Sequence, residues 1–239
     1  MLDVAVSMPI YNRKEITKKC IESFLVNSPK NSKLYCIDNG STDGTKELLK
    51  HYENNPKIDI KYSNVNLYPG LSHVDNLSRA SKAEMYYLAD NDCFFINHNW
   101  YVYPKEIFNR EPDVSMIGTR TSIFERHVPT NDDLKNKKTV LDSFYVEFPY
   151  QAAYTMINEE AKELIVNHIE GKWIGGFIVP LIQRLSSTKK VVSIYPGIVP
   201  DLSDFDFNNP ENLQYYENIW QSKGNITGLR MRQTNLSIK

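Results

Sequence analysis

Residues 85–92 read MYYLADND, so that a short apolar run leads directly into Asp90, Asn91 and Asp92. A run of this length bounded by polar residues predicts a buried β-strand. Two carboxylates at the end of such a strand lose hydration, and something positive must bind them to compensate. A hard divalent cation is the obvious candidate, because Mg²⁺ and Mn²⁺ prefer oxygen ligands and commonly combine one or two carboxylates with the oxygens of a diphosphate. An isolated triplet of this kind is also typical of a strand-end turn that caps neighbouring amides.

The residues before this strand alternate between strand and helix patterns. Runs at residues 4–8, 34–37 and 58–62 predict three more strands, the first of them stopped by Pro9. Apolar residues at helical spacing predict helices between the strands, including one over residues 71–83. Such alternation predicts a single α/β domain with a Rossmann-like, mostly parallel central sheet flanked by helices, and ligands bind outside the carboxyl ends of the strands in such a sheet.

The second half of the chain has a looser pattern. The polar residues 121–138 are predicted to form a mobile loop. We find no internal repeat and no low-complexity linker that would divide the chain. The other predicted elements are helices at 97–109, 159–168 and 176–187 and strands at 114–118, 152–157 and 191–195, the last of these being the final strand.

Composition excludes several classes of protein. The 239 residues carry 28 Lys and Arg against 29 Asp and Glu, so the net charge of -1 provides no general basic field for nucleic acid, and an anionic ligand must be held locally. The sequence has neither a run of about 18 apolar residues nor a signal-peptide pattern at its start, which argues against membrane spanning and secretion. Cys20, Cys36 and Cys93 fit neither a disulfide framework nor a CxxC metal site, which favours a cytoplasmic location.

Polar segments follow each of the first four predicted strands. Because a doubly wound sheet brings these strand ends to one edge, a single pocket could use all of them. The segments are residues 9–12, 38–45, 66–70 and 90–92.

These segments, in this order, resemble the family 2 glycosyltransferases of the GT-A fold. Residues 4–12 are similar to the family's first strand with its Pro-x-Tyr-Asn ending, and residues 38–45 are similar to its nucleotide loop. Residues 66–76 and the Asp-x-Asp motif at 90–92 complete the pattern. The resemblance covers residues 3 to about 120 and implies a metal-dependent enzyme that transfers a sugar from a nucleotide-sugar, with inversion, to an acceptor hydroxyl.

The resemblance also implies roles for individual residues. Asp38 would accept a hydrogen bond from the uracil of a UDP-sugar, and Asp92 would bind Mn²⁺ or Mg²⁺ with Asp90 facing the ribose or a metal-bound water. The cation would stabilise the charge that grows on the leaving diphosphate. The implied donor-binding residues are Pro9, Tyr11, Asn12, Asp38, Asn39, Gly40, Asn66, Gly70, Asp90, Asn91 and Arg230, and the implied metal ligands are Asp90 and Asp92.

The catalytic base is the point where the chain departs from the family. Inversion needs a carboxylate that activates the acceptor hydroxyl. Aligning Arg184 with the family's Arg-Leu pair places residues 176–178, Gly-Phe-Ile, on the Gly-Glu-Asp motif of many relatives, and neither acid is present. An Asp at 201 or 204 could instead complete the metal site or act as the base, although these residues also fit a solvated acidic turn. The candidate bases are Glu147, Glu170, Asp201 and Asp204, and the candidate catalytic residues are Asp92, Asp201 and Asp204.

Two further groups of residues have both a functional and a structural interpretation. Residues 218–239 contain Lys223, Arg230 and Arg232 and no acid, which fits either a lid over the donor diphosphate or a frayed surface tail. The chain thus divides into a donor half at 1–120, an acceptor half at 121–217 and this tail. The aromatic residues Tyr150, Tyr154, Trp173 and Phe177 fit either an acceptor-binding face or ordinary core packing.

Two other functions fit parts of the sequence. A nucleotidyltransferase usually has a Gly-rich basic loop after its first strand, where this chain has residues 9–12 followed by Arg13 and Lys14. A catalytically inactive protein that binds a nucleotide-sugar or glycan would explain the missing Glu-Asp pair. The acceptor of a glycosyltransferase stays open among a glycan, a lipid-linked glycan, a protein and a modified nucleic-acid base.

Overall fold

A central sheet organises the protein. The structure, a computed structural model, describes residues 1–121, 135–147, 154–170, 178–188, 190–195 and 199–200. The first elements are β1 (Leu2–Ile10), α1 (Lys14–Asn27), β2 (Ser32–Asp38), α2 (Thr45–Lys50), β3 (Ile58–Tyr62), α3 (Tyr68–Arg79), β4 (Ala83–Leu88), α4 (Asn99–Arg110) and β5 (Val114–Gly118). They are followed by β6 (Arg120–Thr121), β7 (Lys138–Val140), β8 (Ser143–Glu147), β9 (Thr155–Ile157), α5 (Glu159–His168), α6 (Ile178–Leu185), β10 (Lys190–Tyr195) and β11 (Val199–Pro200).

In the described part of the chain, nine strands pair in the order β3-β2-β1-β4-β9-β5-β10-β8-β7. The strands β3, β2, β1 and β4 are parallel neighbours, and β5 and β10 are also parallel to each other. Strand β9 runs antiparallel between β4 and β5, and β8 runs antiparallel to β10. The predicted α/β fold with a mostly parallel central sheet is therefore confirmed.

Both faces of the sheet are buried, which explains why β1 and β4 are almost continuously apolar. Val4, Val6 and Met8 of β1 belong to the apolar cluster that also contains Phe24 of α1 and Trp100 of α4. A second apolar cluster contains the alternate strand residues, which face the other side of the sheet. Its members include Ala5 of β1, Tyr86 of β4, Leu77 of α3, and Ala161 and Ile165 of α5. A sheet between two helical layers leaves its carboxyl edge for the loops that end the strands.

Aromatic packing fixes the segment that follows Asp92. The ring of Phe95 lies 4.7 Å from that of Trp100 and 5.8 Å from that of Phe24, measured between centroids. The Phe95 amide donates to Ser23 Oγ at 3.1 Å, and Trp100 Nε1 donates to the carbonyl of Asn27 at 3.0 Å. These contacts hold the exit from the Asp90–Asp92 loop against α1.

Pro9 does not stop β1, which continues to Ile10. The Ser7 carbonyl accepts a hydrogen bond from the Ala89 amide, just after β4. Pro9 lies two residues after Ser7, so its backbone nitrogen faces the same neighbouring strand. Because the pairing of β1 with β4 ends at Leu88, no strand there needs the amide hydrogen that Pro9 lacks.

The helix predicted at 71–83 is α3, shifted towards the N-terminus. It begins at Tyr68 because Asn66 Oδ1 accepts the Tyr68 amide at 2.8 Å and Pro69 suits a first turn. It ends at Arg79, since Ala80 is extended and Ala83 begins β4.

Several later predictions also change. Residues 191–195 are not the final strand, because β11 follows and pairs with β6. The predicted loop at 121–138 begins and ends in strands β6 and β7, and residues 122–134 lie outside the described part. The helix at 159–168 is confirmed, whereas the helix predicted at 176–187 is described from Ile178 to Leu185 and the strand at 152–157 from Thr155 to Ile157.

Among the described helices, none is long and apolar enough to cross a membrane.

Candidate functional site

Asn12 connects three of the polar loops at the carboxyl edge. Its backbone amide donates to Ser41 Oγ at 2.8 Å, and its Oδ1 accepts the Thr42 amide at 2.8 Å. Its carbonyl accepts from Asn91 Nδ2 at 3.0 Å. Asn12 and Arg13 both have left-handed backbone angles, with φ of 56° and 64°, which turn the chain sharply between β1 and α1. Asn tolerates this conformation better than most residues do.

Asn39 connects the fourth loop. Its buried Oδ1 accepts the Leu67 amide at 3.2 Å and Ser72 Oγ at 3.0 Å, so the loop after β2 is tied to the start of α3. Gly40 follows with φ of +76°, a conformation that glycine adopts without strain. The prediction that the four strand-end segments meet at one edge is therefore borne out by direct hydrogen bonds between them.

Asp38 is buried, and the described residues donate a hydrogen bond to only one of its two carboxylate oxygens. The residue is 0% exposed, and its Oδ1 accepts the Ser41 amide at 3.3 Å. Its Oδ2 is buried and has no hydrogen-bond partner among the residues that the structure describes. An unsatisfied buried carboxylate oxygen is costly, and such a group in a natural protein calls for a specific partner such as a ligand, an ion or a water molecule. This oxygen can accept a hydrogen bond from a ligand.

Asp92 has a donor on each carboxylate oxygen. The Tyr154 hydroxyl donates to Oδ1, and Arg13 Nη1 donates to Oδ2 at 2.5 Å. The side chain of Asp92 is 9% exposed, whereas that of Arg13 is 50% exposed. The positive partner that the sequence predicts for this loop is, in the structure, the Arg13 guanidinium.

Tyr154 is itself held by a buried chain of hydrogen bonds. Its carbonyl accepts from the Thr119 amide at 2.9 Å and from Thr119 Oγ1 at 2.6 Å. Thr119 Oγ1 lies 2.7 Å from the Tyr87 hydroxyl, and burial raises the pKa of Tyr87 well above its ordinary value, so that this hydroxyl stays protonated. Strands β4 and β5 thereby fix the position of the tyrosine that holds Asp92.

The rest of the Asp90–Asp92 loop is anchored inward. Asn91 Nδ2 donates to Thr17 Oγ1 at 2.8 Å as well as to the Asn12 carbonyl. The Asp90 carbonyl accepts from the Cys93 amide at 3.3 Å. Burial, with the nearby Asp92 charge, raises the pKa of the Cys20 thiol below this loop, so it stays protonated. Asp90 is half-buried at the rim.

The donor atoms of this loop fit a hard cation. Asp90 and Asp92 offer carboxylate oxygens, the ligands that Mg²⁺ and Mn²⁺ prefer. Across the described residues, no three His, Cys, Asp or Glu side chains come together as a metal-binding group. The described part would therefore supply one or two ligands, and a diphosphate and water would supply the others.

The remaining predicted site residues have different settings. Pro9 and Gly70 are buried, Asn66 is half-buried, and Tyr11 is 47% exposed at the end of β1. Of the candidate bases, Glu147 ends β8 and Glu170 follows α5, and both are exposed. Asp201, Asp204 and Arg230 lie outside the described residues, as do Tyr150, Trp173, Phe177 and most of the segment aligned with Gly-Glu-Asp.

Sequence reasoning missed Arg13 and the contact of Tyr154 with Asp92. Arg13 had a usable signal, because it follows Asn12 at the edge where a positive partner was needed. Tyr154 appeared only as one of several aromatic residues, and its side chain does pack in the core. No local pattern reveals that its hydroxyl meets a carboxylate 62 positions earlier.

Comparison with known proteins identifies a family and a fold for this chain. Residues 5–159 match the model of the family described as glycosyl transferase family 2. No curated protein sequence matches the chain at a significant level.

Several solved structures share the fold. GalNAc-T7 in complex with UDP, GalNAc and Mn²⁺ has a TM-score of 0.66 at 13% identity, covering 98% of this chain and 55% of that one. TarS 1-349 of S. aureus has a TM-score of 0.63 at 14% identity, covering 84% and 61%. The mannosyltransferase PcManGT of Pyrobaculum calidifontis, in complex with GDP-Man and Mn²⁺, has a TM-score of 0.61 at 14% identity, covering 84% and 56%. This chain thus matches about three-fifths of their length or less.

Proposed function

The chain belongs to glycosyl transferase family 2, and we propose that it transfers a sugar from a UDP-sugar to an acceptor hydroxyl with inversion, assisted by Mn²⁺ or Mg²⁺. The observation that carries the proposal is the buried, unpartnered Oδ2 of Asp38 at the same edge of the sheet as Asp90 and Asp92. A neutral site for an apolar ligand would not keep these carboxylates together at an edge.

Asp38 is proposed to recognise the base. Uracil presents an N3–H donor, and the free Oδ2 of Asp38 is an acceptor that no described side chain uses. Asn12, Asn39 and Gly40 shape the loops around it, and the exposed ring of Tyr11 together with Pro9 offers a surface for the base and ribose.

Asp92, with Asp90, is proposed to hold the divalent cation together with oxygens of the diphosphate. When bound, the cation would supply stabilisation of the negative charge on the leaving diphosphate. GalNAc-T7 and PcManGT were determined in complex with Mn²⁺, which supports the same choice here. Arg230 in the tail is proposed to add positive charge at the diphosphate.

The acceptor hydroxyl must lose its proton as it attacks the anomeric carbon, so inversion requires a carboxylate base. We propose Asp201 or Asp204 for this role. The acceptor class is a glycan, a lipid-linked glycan, a protein or a modified nucleic-acid base. Cys20, Cys36 and Cys93 are buried and form no disulfide, which supports a reducing, cytoplasmic setting.

Calorimetric titration with UDP in the presence of Mn²⁺ tests the proposal. The wild type should bind UDP, and Asp38→Asn should weaken binding by about tenfold or more, because it replaces the acceptor with an amide that also donates. Asp113→Asn is the matched control, since Asp113 precedes β5 at the opposite edge of the sheet and is 63% exposed. Equal UDP affinity in the wild type and Asp38→Asn would refute base recognition by Asp38.

The products separate the three functions. A glycosyltransferase releases UDP from a UDP-sugar, a nucleotidyltransferase forms pyrophosphate from UTP and a sugar 1-phosphate, and an inactive binder does neither. Two incubations with Mn²⁺, one with UDP-sugars and one with UTP and sugar 1-phosphates, followed by assays of released UDP and pyrophosphate, distinguish them.

A further inference from the structure

Arg13 contacts one of the two oxygens of the Asp92 carboxylate, Oδ2. Its Nη1 lies 2.5 Å from Oδ2, and the opposite oxygen, Oδ1, is covered by the buried Tyr154. The Arg13 side chain is half exposed, whereas that of Asp92 is 9% exposed. A cation that binds Oδ2 of Asp92 would therefore take the place that the guanidinium holds.

We propose that Arg13 is a built-in competitor of the divalent cation: the cation binds Asp92 by displacing the guanidinium, which then pairs with the donor diphosphate. This inference rests on the proposed function. A guanidinium and a divalent cation on one carboxylate oxygen repel each other strongly in a partly buried site, so the two are alternatives. In the metal-free protein the guanidinium offsets part of the cost of burying the Asp92 charge.

The local structure allows the side chain to move while the backbone stays fixed. The Arg13 carbonyl accepts the Thr17 amide at 2.8 Å, which anchors Arg13 at the start of α1. Asn12 is tied to the neighbouring loops by its own hydrogen bonds. Displacement therefore requires only rotation about the side-chain bonds of a half-exposed arginine.

The displaced guanidinium needs a new partner, and a diphosphate is a suitable one because arginine binds phosphate oxygens through two parallel hydrogen bonds. In the absence of nucleotide, a cation on Asp92 leaves the Arg13 guanidinium without its carboxylate partner. With nucleotide present, Arg13 has a partner in both states. The cation and the nucleotide should therefore each increase the affinity of the protein for the other.

The test measures Mn²⁺ binding without turnover, by the electron paramagnetic resonance signal of free Mn²⁺ with and without UDP. In the wild type, UDP should lower the apparent Kd of Mn²⁺ by about tenfold or more. Arg13→Gln should bind Mn²⁺ alone roughly fivefold or more tightly than the wild type, and the effect of UDP on its Mn²⁺ affinity should shrink. Arg13→Lys should behave like the wild type with Mn²⁺ alone, because it keeps the competing charge.

Lys14→Gln is the matched control. It removes the same charge one residue along the chain, from a side chain that lies against Gly44 rather than Asp92. It should leave the Mn²⁺ affinity at the wild-type value, which separates direct competition from the general effect of losing a positive charge. Thermal unfolding in chelator shows whether each variant is folded.

The outcomes separate this inference from the proposed function. Wild-type protein that binds neither UDP nor Mn²⁺ contradicts the proposed function itself. Wild-type protein that binds both, with an Arg13→Gln variant whose affinity for Mn²⁺ alone is equal or weaker, overturns the competition and leaves the proposed function standing. An Arg13→Gln variant that gains no more than Lys14→Gln also overturns it.

Discussion

Asp38 ends β2 and Asp92 follows β4, the two strands that flank β1, and the structure offsets the cost of burying each carboxylate in a different way. Asp92 has Tyr154 on one oxygen and Arg13 on the other. Asp38 has the Ser41 amide on one oxygen and no described partner on the other. The difference predicts that removing the charge stabilises the protein at position 38, where a ligand is needed for compensation, and not at position 92.

Asp38→Asn should raise the free energy of unfolding by about 1–2 kcal/mol, because the amide oxygen can still accept from Ser41 and a neutral amide costs less to bury than a carboxylate. Urea unfolding without ligand measures the change. Asp38→Ala is the comparison, since it leaves the Ser41 amide without its partner and should not gain stability. A lower urea midpoint for Asp38→Asn would contradict this account.

Tyr154→Phe should destabilise the protein by about 1 kcal/mol and change the apparent Kd of Mn²⁺, because it removes the donor from Asp92 Oδ1 and keeps the ring. Tyr145→Phe is the matched control, since Tyr145 is equally buried and donates to Glu111 at 2.9 Å. It should lose similar stability while the apparent Kd of Mn²⁺ stays constant. Equal Mn²⁺ affinity in both variants would show that Tyr154 only packs.

The sequence predicted which chemical groups lie at this site better than it predicted which residues contact Asp92. The run MYYLADND predicted buried carboxylates that need positive charge, because burial and charge follow from local composition. The partners Arg13 and Tyr154 lie 79 and 62 positions from Asp92. Such contacts depend on strand order, which residue patterns alone do not specify.

At the scale of elements, α3 is joined to the central strand β1 by a buried polar contact. His73 Nδ1 lies 2.8 Å from Ser7 Oγ, and both residues are buried. Burial lowers the pKa of His73 to about 3, so the imidazole stays neutral in the folded protein at any pH near neutrality. An unfolded histidine has a pKa near 6.5, and the difference makes stability depend on pH.

Between about pH 6.5 and 3 the unfolded state binds the proton of His73 and the folded state does not, so stability should fall as the pH falls, by up to about 1.4 kcal/mol per pH unit. Urea unfolding from pH 7 to 5 should show this loss. His73→Gln should flatten the profile over that range, whereas the exposed His51→Gln should leave it unchanged. Parallel profiles for the wild type and His73→Gln would contradict the assignment.

Element boundaries were less predictable than element types. Pro9 was expected to stop β1, but its missing amide falls beside the end of β4, where no pairing is lost. The start of α3 depends on the turn that Asn66 makes with Tyr68, a hydrogen bond that apolar periodicity does not report. The strand β9 fills the gap between β4 and β5 in the reverse direction, and its three residues carry too short a pattern to indicate that place.

At the scale of the whole molecule, the carboxyl ends of the strands and the opposite ends carry different kinds of polar groups. The carboxyl edge collects carboxylates and loops with left-handed residues, features that cost stability and that the proposed function uses for ligand binding. The opposite end of β5 and β10 holds a satisfied ionic cluster around Glu111. Its carboxylate accepts from Lys138, from Lys190 at 2.5 Å and from the Tyr145 hydroxyl at 2.9 Å.

Glu111→Gln should therefore lower stability by about 1–2 kcal/mol and leave the Kd of UDP unchanged, because it disrupts an ion-pair network that is remote from the nucleotide loops. Hydrogen bonds from Lys138 and Lys190 lower the pKa of Glu111 to about 2, below its unfolded value near 4.3. The stabilisation by Glu111 is thus complete above about pH 4.3 and is lost as the pH falls from there towards 2. This loss lies below the pH range of 7 to 5 in which the His73 effect is measured. Urea unfolding at pH 7 and UDP calorimetry on the same preparation measure both quantities. A variant that loses UDP affinity together with stability would show that the two ends of the sheet are energetically coupled. That result would contradict the prediction that Glu111 contributes to stability alone.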